Sequence, residues 1–303
     1  MSRFHASFVR LSASRAPSRI FALLVLLAAP AIARADDMLG GGKLILTNGV
    51  TTIEGAGGGG LATWATISGM GTNRNIGVSA HATFAALPDF ALETHGLAIG
   101  WHDRIEIAYA RQNFNTREAG AALGLGRGFT FNQDVFSAKV RLVGDLVYGP
   151  AWLPQISVGA QFKRNLDGNV VRAVGASHSS GTDFTVSATK LILAASVLAN
   201  ATVRLTKANQ FGLLGFGGDK NGGRSVQFEG SLAWMLTSRL AIGGEYRTRP
   251  DNLRFAREQD AKDIFAAWAV TRRATLTAAY ADIGSVATFK NQRGALVSLQ
   301  IAY

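Results

Sequence analysis

Apolar and polar side chains alternate along much of this chain with a period of two, the pattern of strands that have one dry face and one wet face. Ile156, Val158, Ala160 and Phe162 interleave with Gln155, Ser157, Gln161 and Lys163. Val226, Phe228, Leu232, Trp234 and Leu236 interleave with Gln227, Glu229 and Ser231, and Leu240, Ile242 and Tyr246 with Glu245, Arg247 and Arg249. Such runs last about nine to eleven residues, the length of a strand tilted across a bilayer. The most apolar run beyond the N-terminal region, Leu191 to Val203, is broken by Ser196, Asn200 and Thr202 and is too short for a membrane helix. The pattern predicts an all-β fold, a transmembrane antiparallel up-and-down barrel of about 14 strands, with 12 as the alternative. The strands are expected over 43–53, 60–68, 75–84, 95–101, 105–114, 133–144, 154–164, 184–195, 199–217, 226–236, 240–249, 262–270, 274–284 and 295–303.

Loop lengths support this reading. If 199–217 is one strand, short turns gather at one end, and longer connections such as 115–132 and 165–183 gather at the other. Three-residue turns at 102–104, 237–239 and 271–273 preserve the facing of their strands. Counting back from the second turn places Trp234 beside Ile242, Gly230 beside Tyr246 and Glu229 beside Arg247. Tyrosine over glycine is a known device on a sheet surface.

Aromatic residues then fall into two bands, as expected at the two interfaces of a bilayer. Trp101, Trp234, Trp268 and Tyr303 lie near the tight turns, and Phe162, Phe228 and Tyr246, with Phe84, Tyr109 and Tyr280, lie toward the long loops. On the opposite face, Lys139, Arg141, Lys163, Glu229, Glu245, Arg247 and Arg249 are expected to line the lumen. Their basic excess would favour anionic solutes; the plainer reading is that they solvate the lumen and pair across strands.

Residues 1–35 carry Arg3, Arg10, Arg15 and Arg19, an apolar stretch from Ile20 to Ala33, and small residues around Ala33 and Ala35, the features of a cleaved secretory signal peptide. The remainder, 36–303, is expected to be a single barrel domain in a Gram-negative outer membrane. Loss of these four arginines and Arg34 lowers the formal charge from +11 to about +6, which removes most support for nucleic-acid binding. The chain has no cysteine, so disulfides and thiolate metal sites are excluded. The final strand, ending on Ile301 and Tyr303, resembles the C-terminal signal read by the barrel-assembly machinery, which with outer-membrane lipid is the expected partner.

Four stretches resemble the proteobacterial domain of unknown function 3034 family: EGAGGGGLATWA from Glu54, TDFTVSATKL from Thr182, ANQFGLLGFGGD from Ala208 and GGEYRTRPDNL from Gly243. The resemblance implies an outer-membrane barrel and supplies no activity or catalytic residues.

Other chemistry is sparse. The glycines of 55–60 are followed by Leu61-Ala62-Thr63-Trp64 in strand pattern, not by the Lys-Ser/Thr and helix of a phosphate loop. They suit a flexible loop or a close backbone approach to a barrel wall. His81, His95, His102 and His178 have no metal-ligand spacing, so neither metal nor cofactor is expected. Ser79 and His81 share a face, the minimum for acyl hydrolysis; lipid hydrolases of barrel type direct such pairs at the bilayer, whereas here both point inward. The expected function is therefore not enzymatic but that of a passive channel for small solutes. Two alternatives are uptake of hydrophobic compounds, as by fatty-acid transporters, and a non-conducting structural or adhesion barrel. Transporters of the former type carry an N-terminal plug, and only a few residues separate Asp36 from the first expected strand.

Overall fold

In the computed structural model, which describes residues 42–303, twelve antiparallel strands close into one barrel. The expected leader lies outside the described residues. The wall strands are β1 (Ile76–Ala86), β2 (Ala91–Trp101), β3 (Ile105–Asn115), β4 (Thr130–Val143), β5 (Gln155–Asn165) and β6 (Ser180–Ile192), continued by β7 (Val197–Thr206), β8 (Ser225–Thr237), β9 (Leu240–Arg247), β10 (Ala261–Ala269), β11 (Ala274–Asp282) and β12 (Arg293–Ala302). β12 pairs with β1, Leu299 opposite Ala82 and Gln300 opposite His81, so every wall strand has two neighbours and no sheet edge stays open.

Alternation sorts the side chains across this wall. Leu97, Ile107, Leu232 and Ile264 are more than half exposed on the outside, while Glu106, Gln112 and Lys163 are fully buried on the inside. The expected register is present: Glu229 pairs with Arg247, Gly230 with Tyr246 and Trp234 with Ile242. The turn at 102–104 closes because His102 and Asp103 take left-handed backbone angles (φ 50° and 48°). No helix among the described residues is long and apolar enough to cross a membrane.

The expectation of 14 strands is corrected to 12, because two expected strands, 43–53 and 60–68, do not belong to the wall. Residues 42–72 run inside the barrel as a plug, whose regular structure is a two-residue hairpin joining Val50–Thr51 to Gly57–Gly58. From Leu46 to Ser68 only Gly60 escapes full burial, so the segment has no wet face. A segment flanked by polar wall side chains can satisfy much of its backbone through them, beside its own turn bonds, instead of through a ladder. The expected strand 199–217 leaves the wall at Thr206; beyond it the chain turns sharply at Asn209–Gly212, where even Gln210 and Phe211 have positive φ.

The interior is layered. Toward the long loops, Phe90, Phe114, Phe131, Phe211, Leu213 and Leu253 pack on plug residues Ile53 and Leu61. Toward the tight turns, Leu146, Leu191, Leu198 and Phe265 pack with plug residues Leu46, Val50 and Trp64. Charged side chains occupy the level between them.

Candidate functional site in the plugged lumen

Glu54 stands at the head of the glycine-rich turn and is fully buried. Lys163 of β5 contacts it directly, Arg247 of β9 donates to it at 2.9 and 3.2 Å, and Arg204 of β7 lies 3.6 Å away. The same three cations serve two wall carboxylates. Lys163 and Arg204 reach Asp183 at 2.7 and 3.2 Å, and Arg204 and Arg247 both contact Glu229, the latter at 3.3 Å. Three positive and three negative side chains thus form one buried, formally neutral cluster. A cluster so enclosed is costly to disturb, because loss of one member leaves a charge without a partner.

Backbone groups of the plug are bound by wall side chains around most of the barrel. The Gly57 and Ser68 N–H groups donate to Glu106 at 3.1 and 2.7 Å. Leu61 N–H donates to Glu245 at 2.6 Å and Thr63 N–H to Glu229 at 2.7 Å. Carbonyls are treated likewise: Lys139 donates to Gly57 and Thr66, Gln112 to Ile53, Gln155 to Ala65 and Thr202 to Thr63, all within 2.6–2.8 Å. Glycine is required at the turn because the plug touches the wall there; a Cβ on Gly59 would overlap the Glu245 carboxylate. The close-approach reading of these glycines therefore fits, and the flexible-loop reading does not.

The long loops cover this cluster. Arg247 and Arg249 stack over the Phe211 ring at 4.7 and 5.2 Å. Glu258, in the connection after β9, accepts from Gln210 N–H at 3.0 Å and lies 3.4 Å from Arg249. Burial pushes the Glu258 carboxyl up to about 7 despite Arg249, and burial lowers Arg249 from its usual value. Gln210 binds the carbonyl of Ser285 and the N–H of Ala287, joining a third connection to the lid.

Of the residues expected to line a lumen, Lys139, Lys163, Glu229, Glu245, Arg247 and Arg249 are buried on the inner face against the plug or lid. Arg141 sits at the tight-turn mouth with Asp103 and Asp145. There Lys43 of the plug also pairs with Asp103, at 2.7 Å, beside a cavity of about 300 Å³. Trp101, Trp234, Trp268, Phe162, Phe228 and Tyr246 are exposed on the outer surface, and Tyr303 is half-buried with Arg273 over its ring. Ser79 and His81 face inward and are buried, walled off from the exterior, and Nε2 of His81 has no partner. Sequence reasoning missed Glu54, Glu106, Asp183 and Arg204. Glu54 is the one acid between Lys43 and Asp89, a signal that was present in the sequence.

A family model described as "Protein of unknown function (DUF3034)" matches residues 47–300. The chain belongs to that family. The four stretches that carry the DUF3034 resemblance supply the plug turn with Glu54, the wall segment with Asp183, the lid turn with Phe211 and the strand with Arg247, so they meet at the charged cluster. No curated protein matches the sequence. Among solved structures, the NanC porin is similar at 9% identity and a TM-score of 0.47, covering 75% of this chain and 98% of its own. The KdgM porin is similar at 7% identity and 0.47, covering 74% and 99%. The outer membrane phospholipase A of Escherichia coli is similar at 8% identity and 0.41, covering 78% and 94%. At these identities the likeness is one of barrel shape alone.

Proposed function

We propose that this DUF3034 protein is a Gram-negative outer-membrane channel for small solutes, held shut in the described state by its own N-terminal plug. One observation carries the reading: residues 42–72 fill a closed barrel and are bound by inward polar groups, while the outer surface is apolar and girdled by aromatics. An apolar exterior of this kind suits lipid contact. A plug held by many separate side-chain contacts can leave only as a unit, so passage is expected to require its displacement. In the opened lumen Lys139, Lys163, Arg204 and Arg247 would stand against Glu106, Asp183, Glu229, Glu245 and Asp263, a near balance for which only weak ion selectivity is expected. Planar-bilayer recording tests this. The intact protein is expected to be mostly closed and a plug-weakened variant open, with reversal potentials that show little ion selectivity. A plug-weakened variant that never conducts would refute the channel and leave the structural barrel.

A second reading, uptake of hydrophobic compounds, gains from the same plug, since the short N-terminal segment was the sequence's argument against it. It is also favoured by an outward recess of about 800 Å³ across β8–β11, lined by Leu232, Trp234, Ile264 and Tyr280 over Gly243, Ala266 and Ala278. Crosslinking of a photoreactive fatty acid to this recess, in protein that passes no ions, would favour it.

A further inference from the structure

Strands β9 and β10 set two carboxylates directly opposite each other on the inner face, Glu245 being the ladder partner of Asp263. Side chains so placed have Cβ atoms about 4.5–5.5 Å apart. Both face the plug: a Cβ built on Gly60 would stand 3.5 Å from Asp263 Oδ2 and 3.5 Å from Glu245 Oε2. Glu245 is fixed by Leu61 N–H at 2.6 Å and by the Ser231 hydroxyl at 2.7 Å, and Ser231 in turn accepts from the Trp64 indole at 2.8 Å. Asp263 is only 7% exposed, and its Oδ1 has no hydrogen-bond partner.

Among the described residues, no side-chain cation pairs with either carboxylate. Glu229 on β8 adds a further negative charge, and Arg247 on β9 is engaged by Glu54 and Glu229. β11 places Ala281 opposite Asp263, while Lys262 and its ladder partner Asp282 belong to the outer face. The plug contributes backbone, not charge, over 59–62. Two carboxylates held together in a water-poor interior need a positive charge between them.

We propose that Glu245 and Asp263 form a binding site for one small cation, a proton or a monovalent metal ion, whose presence holds the glycine turn of the plug on the wall. Two carboxylates suit a single charge and fall short of the six or more oxygen ligands of a calcium site. When the cation leaves, repulsion moves the Glu245 carboxylate, and Leu61 N–H loses its acceptor. The inference adds regulation to the closed state and rests on the seating of the plug, not on conduction.

The test uses the full chain, which has no native cysteine, in a Glu258→Gln background that removes the lid titration. Ala62→Cys reports plug exposure by maleimide labelling, normalised to the exposed control Ser238→Cys. Ionic strength is held constant while pH is raised from about 5 to 9 with Na⁺, K⁺ or tetramethylammonium as the sole cation. Withdrawal of the bound cation is expected to speed normalised labelling by at least about tenfold and to lower Tm by several degrees. Dependence on pH in every salt identifies the proton; dependence on replacing Na⁺ or K⁺ by tetramethylammonium identifies the metal. Asp263→Asn should flatten both series at the slow rate, and Glu245→Gln provides the same reading if the first variant does not fold. A parent that is flat in both series, or variants that retain its dependence, would overturn the proposal. Labelling and Tm need no conductance, so a protein that passes no ions leaves this result readable.

Discussion

Replacing Glu54 by Gln isolates what holds the plug. The substitution keeps the side-chain shape and removes one of three negative charges from the cluster of Lys163, Arg204 and Arg247 with Asp183 and Glu229. All six side chains are at most 4% exposed, so solvent cannot supply a replacement charge. Removing one partner of a buried pair typically costs about 3–5 kcal/mol, against ~0–1 kcal/mol for an exposed pair. If that cost falls on the seating of the plug, the ratio of seated to displaced protein drops by roughly a hundred- to several-thousand-fold. The assay is maleimide labelling of Ala62→Cys together with bilayer recording. Labelling is expected to be negligible in the Glu54 protein and rapid in the Glu54→Gln variant, with open events appearing in parallel. The double variant Glu54→Gln, Lys163→Gln restores neutrality and should recover part of the loss, a coupling readable as a double-mutant cycle. If Glu54→Gln labels as slowly as its parent and melts at the same temperature, the cluster does not retain the plug.

Glu258 gives the lid a pH dependence. Its carboxyl is raised to about 7 by burial, so the folded lid prefers the protonated form; its contribution is complete below about pH 4.5 and is lost as pH rises through 7, amounting to about 3 kcal/mol. Urea titrations from pH 4 to 8 should show this slope in the parent and a flatter profile in Glu258→Gln; equal slopes would contradict it. Gly58→Ala drives a methyl group against the Ala62 carbonyl and Trp64 N–H and should destabilise by about 1–3 kcal/mol. Gly230→Ala on the outer face meets only Asn200 O, at 3.8 Å, and should stay within about 0.5 kcal/mol by thermal melting. Phe211→Ala removes the ring beneath Arg247 and Arg249 and is expected to cost about 3–5 kcal/mol; a loss under 1 kcal/mol would mean that the lid is not packed through this residue.

The wall was readable from sequence because an apolar exterior and a polar interior impose opposite requirements on successive residues. From Val226 to Leu236, and again from Leu240 to Tyr246, that contrast fixed facing and register together, and Glu229 accordingly stands opposite Arg247. The plug was not readable by the same rule. Val50, Thr51, Thr52 and Ile53 are buried on every side, so their order carries no record of two faces, and the bonds that tie the plug to the wall go to side chains distant in sequence. Partners such as Glu106 and Gly57, 49 residues apart, leave no local pattern. The lid at 208–218 was hidden for a different reason: Gly212, Gly215 and Gly217 take positive φ, where apolar neighbours alone suggested a continuing strand. Glu54, an isolated acid among glycines, marked the centre of the cluster, but a glycine-rich segment is ordinarily first read as a surface loop.

The charged level of the interior lies between two greasy layers, one beneath the lid and one at Trp64. Dissolved ions shield exposed charges within about 10 Å at 0.1 M and about 3 Å at 1 M, whereas buried pairs are screened much less. Added electrolyte should therefore loosen Arg293, whose side chain is 57% exposed, from Asp282 on the rim long before it weakens the pairs of Glu54. Brine becomes a discriminating reagent: weakening by shielding falls first on the periphery, and the ion pairs that seat the inner segment are shielded only once the apolar layers part.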